Sequence, residues 1–193
     1  MYDKPDFKAN NEAEVIAFMQ ANPFILLCGV DMDGYPVATQ VPVLIEEKEG
    51  KLYLYGHLMR KQDHTIAYQN NPAVLAVFTG EHYYVSATLY STANVASTWN
   101  YLAVHAKGEI KFMNDNELYL LLVKLTNNFE GSEESLASVK MMSPEYVSDN
   151  MKAIVGFEIE ITKLRHVFKA SQNKNEETKL KIMKQRELDS SRK

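Results

Sequence analysis

Cysteine is almost absent from this 193-residue chain, which has a single one, Cys28. One thiol cannot form a disulfide within the chain, and it cannot build a multi-thiolate metal site. Cys28 lies in the apolar segment 24–30, where we expect it to pack as a small hydrophobic side chain. We therefore assign it no chemical role.

Several common site signatures are missing as well. The five histidines include no pair at the i, i+4 spacing of a helical zinc site, so we expect no metal. The chain has no Gly-x-Gly-x-x-Gly motif and no pair of adjacent short helices with a basic recognition face, which disfavours a dinucleotide fold and a helix-turn-helix. A Gly-x-Ser-x-Gly elbow is also missing, although composition alone leaves a Ser-His-Asp triad open. The catalytic residues, if any, are unknown at this point.

Long apolar runs and an excess of basic charge are lacking too. The longest apolar runs, residues 73–78 and 118–123, fall far short of the roughly 20 residues of a membrane-spanning helix. The N-terminus has no secretory signal pattern, so we expect a cytoplasmic protein without a membrane partner. The net charge is -4, from 21 basic and 25 acidic residues, which gives direct DNA binding only weak support.

The length of the chain fits one domain, or one domain with an appendage, and allows a sizeable core. Hydrophobic residues make up 46% of it, which is an ordinary globular composition. Cap signatures and apolar periodicity predict helices at residues 12–21, 61–68, 118–129, 144–153 and 174–193, the last fraying from Ser190. Alternating or apolar segments predict strands at residues 24–30, 36–46, 51–57, 73–78, 82–86, 100–113 and 154–164.

These elements predict a mainly β, α+β fold. We expect the first three strands to form an antiparallel meander, Thr79 and Gly80 to separate two strands, and the long strand 100–113 to bend at Gly108. Six or seven short strands with interspersed helices favour a closed or partly closed barrel, because closure removes exposed sheet edges. The polar loop 88–98 has a length that is more typical of functional or mobile loops than of simple connections.

A basic turn follows the third predicted strand, in the sequence Gly56-His57-Leu58-Met59-Arg60-Lys61. At the start of a helix, unpaired backbone N–H groups together with Arg60 and Lys61 would suit a phosphate group. The alternative is a solvated basic turn, which these six residues alone favour slightly.

The only tryptophan lies in a second cluster, Thr98-Trp99-Asn100. A planar heteroaromatic ligand requires a flat apolar face and polar groups that bind its edge, and these residues supply both. Taken alone, core or dimer packing of Trp99 is the more common role.

Two further clusters carry polar side chains. Strand alternation places His82, Tyr84 and Ser86 on one face, which suits either a pocket or a wet outer surface. The segment Ser171-Gln172-Asn173 suits the polar lip of a site, although a turn and cap is its more common role.

Several stretches together resemble the PaiB-like family of FMN-binding negative transcriptional regulators. The match extends over nearly the whole chain and is carried by residues 54–60, 78–86, 98–101, 104–108, 151–159 and 171–173. The resemblance implies an antiparallel FMN-binding split β-barrel and a homodimer with flavin sites at the subunit interface. It also implies, for some members, regulation of genes for sporulation or secreted enzymes.

The resemblance changes how the clusters are interpreted. The turn with His57, Arg60 and Lys61 becomes the candidate for the FMN phosphate, and Trp99 with Asn100 the candidate for the flavin edge. The remaining predicted cofactor residues are Thr98, Tyr84, Ser86 and Gln172. These roles come from the chemistry of the side chains rather than from a known family site. We expect a flavin-binding domain at residues 1–170 and a polar helix or tail at residues 171–193.

The chain also departs from the family pattern. The family commonly has Ser-Pro-x-Trp-Tyr where this chain has Ser86-Ala87-Thr88-Leu89-Tyr90, and a tryptophan near the position of Phe168. These changes remove a proline and aromatic surface beside the expected pocket.

Three functions stay open at this stage. The first is an FMN-binding flavoprotein that is redox-active and, if it is an enzyme, an FMN-dependent oxidoreductase. The second is a ligand-responsive negative transcriptional regulator acting without flavin chemistry. The third is a flavin-free dimeric scaffold.

Overall fold

The computed structural model describes residues 1–92 and 94–190, and within them it contains seven strands and five α-helices. The strands are β1 Phe24–Val30, β2 Pro36–Pro42, β3 Leu44–Lys48, β4 Lys51–Met59, β5 Ala73–Val85, β6 Thr98–Phe112 and β7 Ile154–Lys169. The helices are α1 Glu12–Ala21, α2 Asp63–Asn70, α3 Asp115–Glu130, α4 Pro144–Met151 and α5 Glu176–Ser190. Short 3-10 turns span Pro5–Phe7, Ala87–Leu89 and Val139–Met141.

All seven strands belong to one sheet, in the order β2-β1-β5-β6-β7-β4-β3. The β1–β2, β1–β5, β3–β4 and β4–β7 pairs are antiparallel. The expected α+β class with an antiparallel sheet is therefore confirmed. None of the helices in the described part of the chain is long and apolar enough to span a membrane.

The chain forms two compact units, each with its own packing. The first unit comprises residues 1–18, 79–104 and the chain from residue 165, and the second comprises residues 19–78 and 105–164. The first unit buries apolar side chains that include Phe7, Val15, Val85, Val104, Val167 and Ile182. The second buries a larger set that includes Ile25, Leu27, Leu54, Tyr68, Phe78, Phe157 and Ile159.

Cap residues in the sequence mark the starts of α1 and α3. The expected helix starts at residues 61, 118 and 174 differ by two or three residues from the observed ones at Asp63, Asp115 and Glu176. Asn114 caps α3 by accepting hydrogen bonds from the N–H groups of Asn116 and Glu117, and the Glu117 carboxylate accepts from the Asn114 N–H at 2.8 Å. Asn11 accepts from the Glu14 N–H at 2.9 Å before α1. Such caps pair N–H groups that the first helical turn leaves without partners, so cap patterns locate helix starts well.

The expected three-strand meander is wrong. Segment 36–46 divides into β2 and β3, which lie at opposite edges of the sheet, so β2 pairs with β1 while β3 pairs with β4. Pro42 has no N–H to donate, and the Val43 N–H instead donates to the Pro23 carbonyl at 2.9 Å. The β2 ladder therefore ends at this position.

The expected strand break at Gly80 is also wrong, because β5 continues from Ala73 to Val85. A Cβ at Gly80 would lie 2.5 Å from the Phe18 ring, so this glycine makes room for a neighbouring side chain. Gly108 has a similar role in β6, where a Cβ would lie 2.3 Å from the Glu160 carbonyl oxygen of β7.

The domain boundary at residue 170 stays a prediction. α5 occupies most of the predicted polar helix, and the three residues beyond Ser190, where we expect fraying, lie outside the described part of the chain.

We predict that Gly108→Ala destabilises the protein by about 1–3 kcal/mol, because the added Cβ must displace the backbone of β7. The control is Gly80→Ala, which makes the same change in a strand against a ring that can move, and which costs less. Urea denaturation with both variants measures the difference. Equal urea midpoints for the two variants would show that the close approach of β7 to Gly108 does not determine the loss of stability.

Candidate functional site

The basic turn after β4 is held firmly by backbone bonds. Residues 60–62 connect β4 to α2, the Thr65 hydroxyl donates to the Met59 carbonyl at 2.8 Å, and the Arg60 N–H donates to the Ala153 carbonyl at 2.9 Å. The helix that we expected from Lys61 therefore begins two residues later, at Asp63. The Arg60 N–H is paired with Ala153 and cannot belong to an anion site.

The side chains of this turn are available to an anion. The Arg60 guanidinium donates to the Asp115 carboxylate at 2.8 Å, and the Asp115 side chain is 79% exposed. An exposed pair of this kind contributes only about 0–1 kcal/mol, so Arg60 can exchange Asp115 for a stronger anion. Lys61 has no ion pair within residues 1–92 and 94–190. Asp63 opposes an anion at the same turn, and its carboxylate accepts from the His64 N–H at 2.7 Å.

His57 brings an unpaired polar atom to the same region of the second unit. It lies in β4 opposite Gly156 of β7, and its Nδ1 is buried without a hydrogen-bond partner among the described residues. Burial lowers the pKa of the imidazole, which keeps the ring neutral at pH 7. A buried polar atom without a partner costs about 1–3 kcal/mol, so a ligand group that bonds Nδ1 would recover that cost.

The first unit presents an exposed aromatic face formed by His82, Tyr84 and Trp99. The Tyr84 and Trp99 rings meet edge to face with centroids 5.8 Å apart, and the His82 ring lies 6.3 Å from that of Trp99. Tyr84 and Trp99 are each 54% exposed. A planar ligand or a second protein surface can therefore cover this face without rearrangement of the core.

A cavity of about 470 Å³ lies in the first unit between the end of β5, the turn Ala87–Leu89 and α5, and Tyr84 and Ser86 line it. On the α5 side, the Arg186 guanidinium forms two hydrogen bonds to the Glu81 carboxylate and stacks 5.5 Å from the Tyr83 ring centroid. Sequence reasoning missed Glu81 and Arg186, because 105 positions separate them and no local pattern connects them.

The remaining predicted residues are engaged within the protein. Ser86 caps the 3-10 turn through the Thr88 N–H, and Thr98 accepts a hydrogen bond from Lys169. Gln172 accepts from the Ala170 N–H at 2.8 Å and donates to the Phe168 carbonyl at 2.6 Å, which makes it a turn residue.

Asn100 is fully buried. Its amide nitrogen donates to Tyr83 at 3.1 Å and to Ser171 at 2.8 Å. These partners give Asn100 a structural role, and its contact with a flavin edge stays a prediction.

The predicted cofactor residues thus fall into two sets. His57, Arg60 and Lys61 belong to the second unit, and Tyr84, Ser86, Thr98, Trp99, Asn100 and Gln172 belong to the first. Of all these side chains, Lys61, Trp99, Tyr84 and the Nδ1 edge of His57 have chemistry that the protein leaves unused.

Comparison with known proteins identifies relatives over most of the chain. Residues 1–163 match the family model described as "Putative FMN-binding domain". The chain is 31% identical over 185 residues to "Protease synthase and sporulation protein PAI 2" of Bacillus subtilis strain 168, covering 96% of this chain and 88% of that protein.

Solved structures with the same fold have low sequence identity. Conserved hypothetical protein Rv2991 of Mycobacterium tuberculosis matches at a TM-score of 0.58 and 16% identity, covering 87% of this chain and 90% of that one. A protein described as a putative pyridoxamine 5'-phosphate oxidase of Listeria innocua matches at 0.51 and 15%, covering 80% and 96%. These matches show the split-barrel fold. With the family match over residues 1–163, they lead to the conclusion that the chain belongs to the PaiB-like family of the "Putative FMN-binding domain".

Proposed function

We propose that the protein binds FMN and holds the FMN phosphate at the basic turn after β4. The observation that carries the proposal is that the side chains of Lys61 and Arg60 can bind a phosphate, while hydrogen bonds already hold the backbone of their turn in place. The ammonium of Lys61 is unpaired in the described residues, and Arg60 is held only by an exposed carboxylate. A phosphate dianion offers both side chains a more highly charged partner, and the guanidinium fork suits it well.

The residues present fit this cofactor. The unpaired Nδ1 of His57 can bond to a polar group of the ligand, and the donor set consists of two cations and a neutral imidazole. Bound FMN supplies redox chemistry, while the chain binds and orients it. We assign no residue as acid or base, so substrate and electron donor stay outside the proposal.

The ring system of FMN requires an aromatic or apolar surface, which the exposed face of His82, Tyr84 and Trp99 offers. As a separate proposal about the first unit, this face is a candidate surface for a flavin ring, and we propose that the protein is a homodimer with its flavin sites at the subunit interface. The support is the 54% exposure of both Trp99 and Tyr84, since large aromatic side chains this open are typical of interfaces and ligand platforms.

A regulatory role is the second candidate, favoured by the name of the Bacillus relative, which refers to protease synthesis and sporulation. We propose that any such role proceeds through ligand or partner binding rather than through operator recognition. The net charge of -4 opposes DNA binding at physiological salt. If FMN does not bind, we propose instead that the protein is a flavin-free dimeric scaffold.

We predict that Arg60→Ala and Lys61→Ala each weaken FMN binding by more than about tenfold, or roughly 1.4 kcal/mol, because each loses an ion pair with the phosphate. Asp115→Asn should tighten binding modestly, since it releases Arg60. Lys111→Ala, an exposed lysine in β6, is the matched control and should have no effect. Flavin fluorescence quenching measures all four. Unchanged dissociation constants for the Arg60 and Lys61 variants would refute the phosphate assignment.

We predict that Trp99→Ala weakens FMN binding by about tenfold, whereas Trp99→Phe retains most of it, because a stacked ring contributes on the order of 1 kcal/mol. Tyr119→Ala removes an exposed aromatic side chain from the second unit and is the control. Light scattering during the titration shows whether the same change alters the dimer. If Trp99→Ala changes neither the FMN affinity nor the mass of the protein species in solution, the aromatic face binds neither the flavin ring nor a second subunit.

We predict no mobility shift of promoter DNA at physiological salt, with or without FMN, because an acidic surface binds phosphate poorly. A saturable shift at nanomolar protein that persists when FMN is removed would favour the regulator that acts without flavin chemistry.

A further inference from the structure

A second cavity of the first unit has an unusual lining. Its volume is about 280 Å³, and three lysines and three aromatic residues line it: Lys4, Lys169, Lys174, Tyr2, Phe7 and Tyr90. We call it the lysine pocket. The lysines come from the N-terminal segment, the end of β7 and the segment before α5, and no aspartate or glutamate is among the lining residues.

The three ammonium groups are not neutralised by carboxylates. Among the described residues none of the three forms an ion pair. Asp3 of the same N-terminal segment pairs with Lys8 and Arg165. The Asp6 carboxylate accepts a hydrogen bond at 3.3 Å from the side chain of Asn173, a lining residue, so one carboxylate adjoins the pocket without forming an ion pair with its lysines. In a chain with an overall excess of acid, three lysines around one cavity form a local concentration of positive charge.

Aromatic rings hold these ammonium groups in place. Lys4 lies 5.7 Å from the Tyr2 ring centroid, Lys169 lies 5.9 Å from the centroids of both Tyr2 and Phe7, and Lys174 lies 4.9 Å from that of Tyr90. Each such contact contributes about 0.5–1 kcal/mol and leaves the positive charge in place. The cavity therefore combines cations that lack counter-ions with ring faces.

One residue that lines the pocket, Ser171, is held in a strained backbone conformation. Ser171 lines the cavity, is buried, and has a φ of 60°, in the left-handed region that non-glycine residues rarely adopt. Two hydrogen bonds with the buried Asn100 hold it there, at 2.8 and 3.2 Å. Strained residues of this kind cluster where a protein clamps a ligand. Two stretches that the sequence pointed out contribute to this one cavity, through Ser171 and Asn173 in one and Tyr90, Val95, Ala96 and Thr98 in the other.

We propose that the lysine pocket binds a small anion with an aromatic body, an aryl phosphate or an aryl carboxylate. The anionic head would pair with the ammonium groups of Lys169 and Lys174, and the ring would lie against the aromatic lining. The volume lies just below the roughly 300–1,000 Å³ of typical ligand sites, which favours a ligand with one ring. None of the residues proposed to hold the FMN phosphate lines this pocket, and of the predicted cofactor residues only Thr98 does. Competition with FMN therefore decides whether the pocket is separate from the flavin site.

The test is calorimetric titration of the purified full-length chain with phenyl phosphate, benzoate and the neutral benzyl alcohol. Both anions are expected to bind saturably at one site per chain, and benzyl alcohol at least tenfold more weakly. Lys169→Met with Lys174→Met should weaken phenyl phosphate at least tenfold, whereas the control pair Lys163→Met with Lys184→Met should not. Because Lys169 also bonds to Thr98, Lys4→Met serves as a second variant that changes only an exposed side chain, and it should weaken binding several-fold.

Three results would overturn the proposal. They are unchanged binding of phenyl phosphate by the lysine variants, binding of benzyl alcohol as tight as that of the two anions, and displacement of bound phenyl phosphate by FMN. The last result would make the pocket part of the flavin site. Failure of this proposal is distinguishable from failure of the FMN assignment, because Lys61→Ala should leave phenyl phosphate binding intact, and the Lys169 and Lys174 variants should leave FMN binding intact.

Discussion

The β4–β7 ladder is the constraint on which the second unit and its basic turn depend. The register pairs Gly56 with Phe157 and His57 with Gly156, and in both pairs a glycine faces a larger residue. A Cβ at Gly56 would meet the Phe157 ring at 2.6 Å, and one at Gly156 would meet Met113 at 3.0 Å. A slip by one residue would turn every side chain of β4 to the opposite face, so these close contacts fix the register.

The position of the basic turn follows from that register. Beyond the last ladder pair, Met59 with Ile154, the Arg60 N–H bonds to the Ala153 carbonyl, so the turn begins at a fixed point. The Arg60 and Lys61 side chains then project from an ordered backbone. The orientation of a binding group is thus supplied by strand pairing rather than by the helix start that the sequence suggested.

Positive charge is distributed unevenly in this acidic chain. Seven lysines, at positions 8, 48, 51, 124, 152, 179 and 181, form ion pairs with carboxylates. Lys61 and the lysines of the lysine pocket do not, among the residues that the structure describes. Lys107, Lys111, Lys140, Lys163 and Lys184 also lack a carboxylate partner in the described part of the chain. Lys61 differs from them because it follows Arg60 directly, and the lysine pocket differs because three lysines line one cavity. These are the two places, one in each unit, where we propose that an anion binds. Such local clusters are the reason why we expect small phosphates to bind even though the net charge of -4 disfavours DNA.

Features encoded within a few residues were predictable, and features that depend on distant partners were not. The Asn114 cap and the limits of β1 follow from local sequence, and both are confirmed. Where β2 ends, the Val43 N–H bonds to Pro23, about twenty positions earlier in the chain. Gly80, within the continuous strand β5, packs against Phe18, about sixty positions away.

The same limit applies to the candidate sites. The sequence motifs indicated the basic turn and Trp99 as candidate site residues. The hydrogen-bond partners of Asn100 and Gln172 within the protein could be identified only from the structure. The lysine pocket joins residues from position 2 to position 174, so no window of sequence contains it.

The central claim is that the basic turn holds the phosphate of FMN, and a crystal structure of the protein grown with FMN tests it most directly. We expect the phosphorus atom to lie beside Lys61 Nζ and the Arg60 guanidinium, and Arg60 to be released from Asp115. A flavin phosphate bound elsewhere, with Arg60 still paired to Asp115, would contradict it.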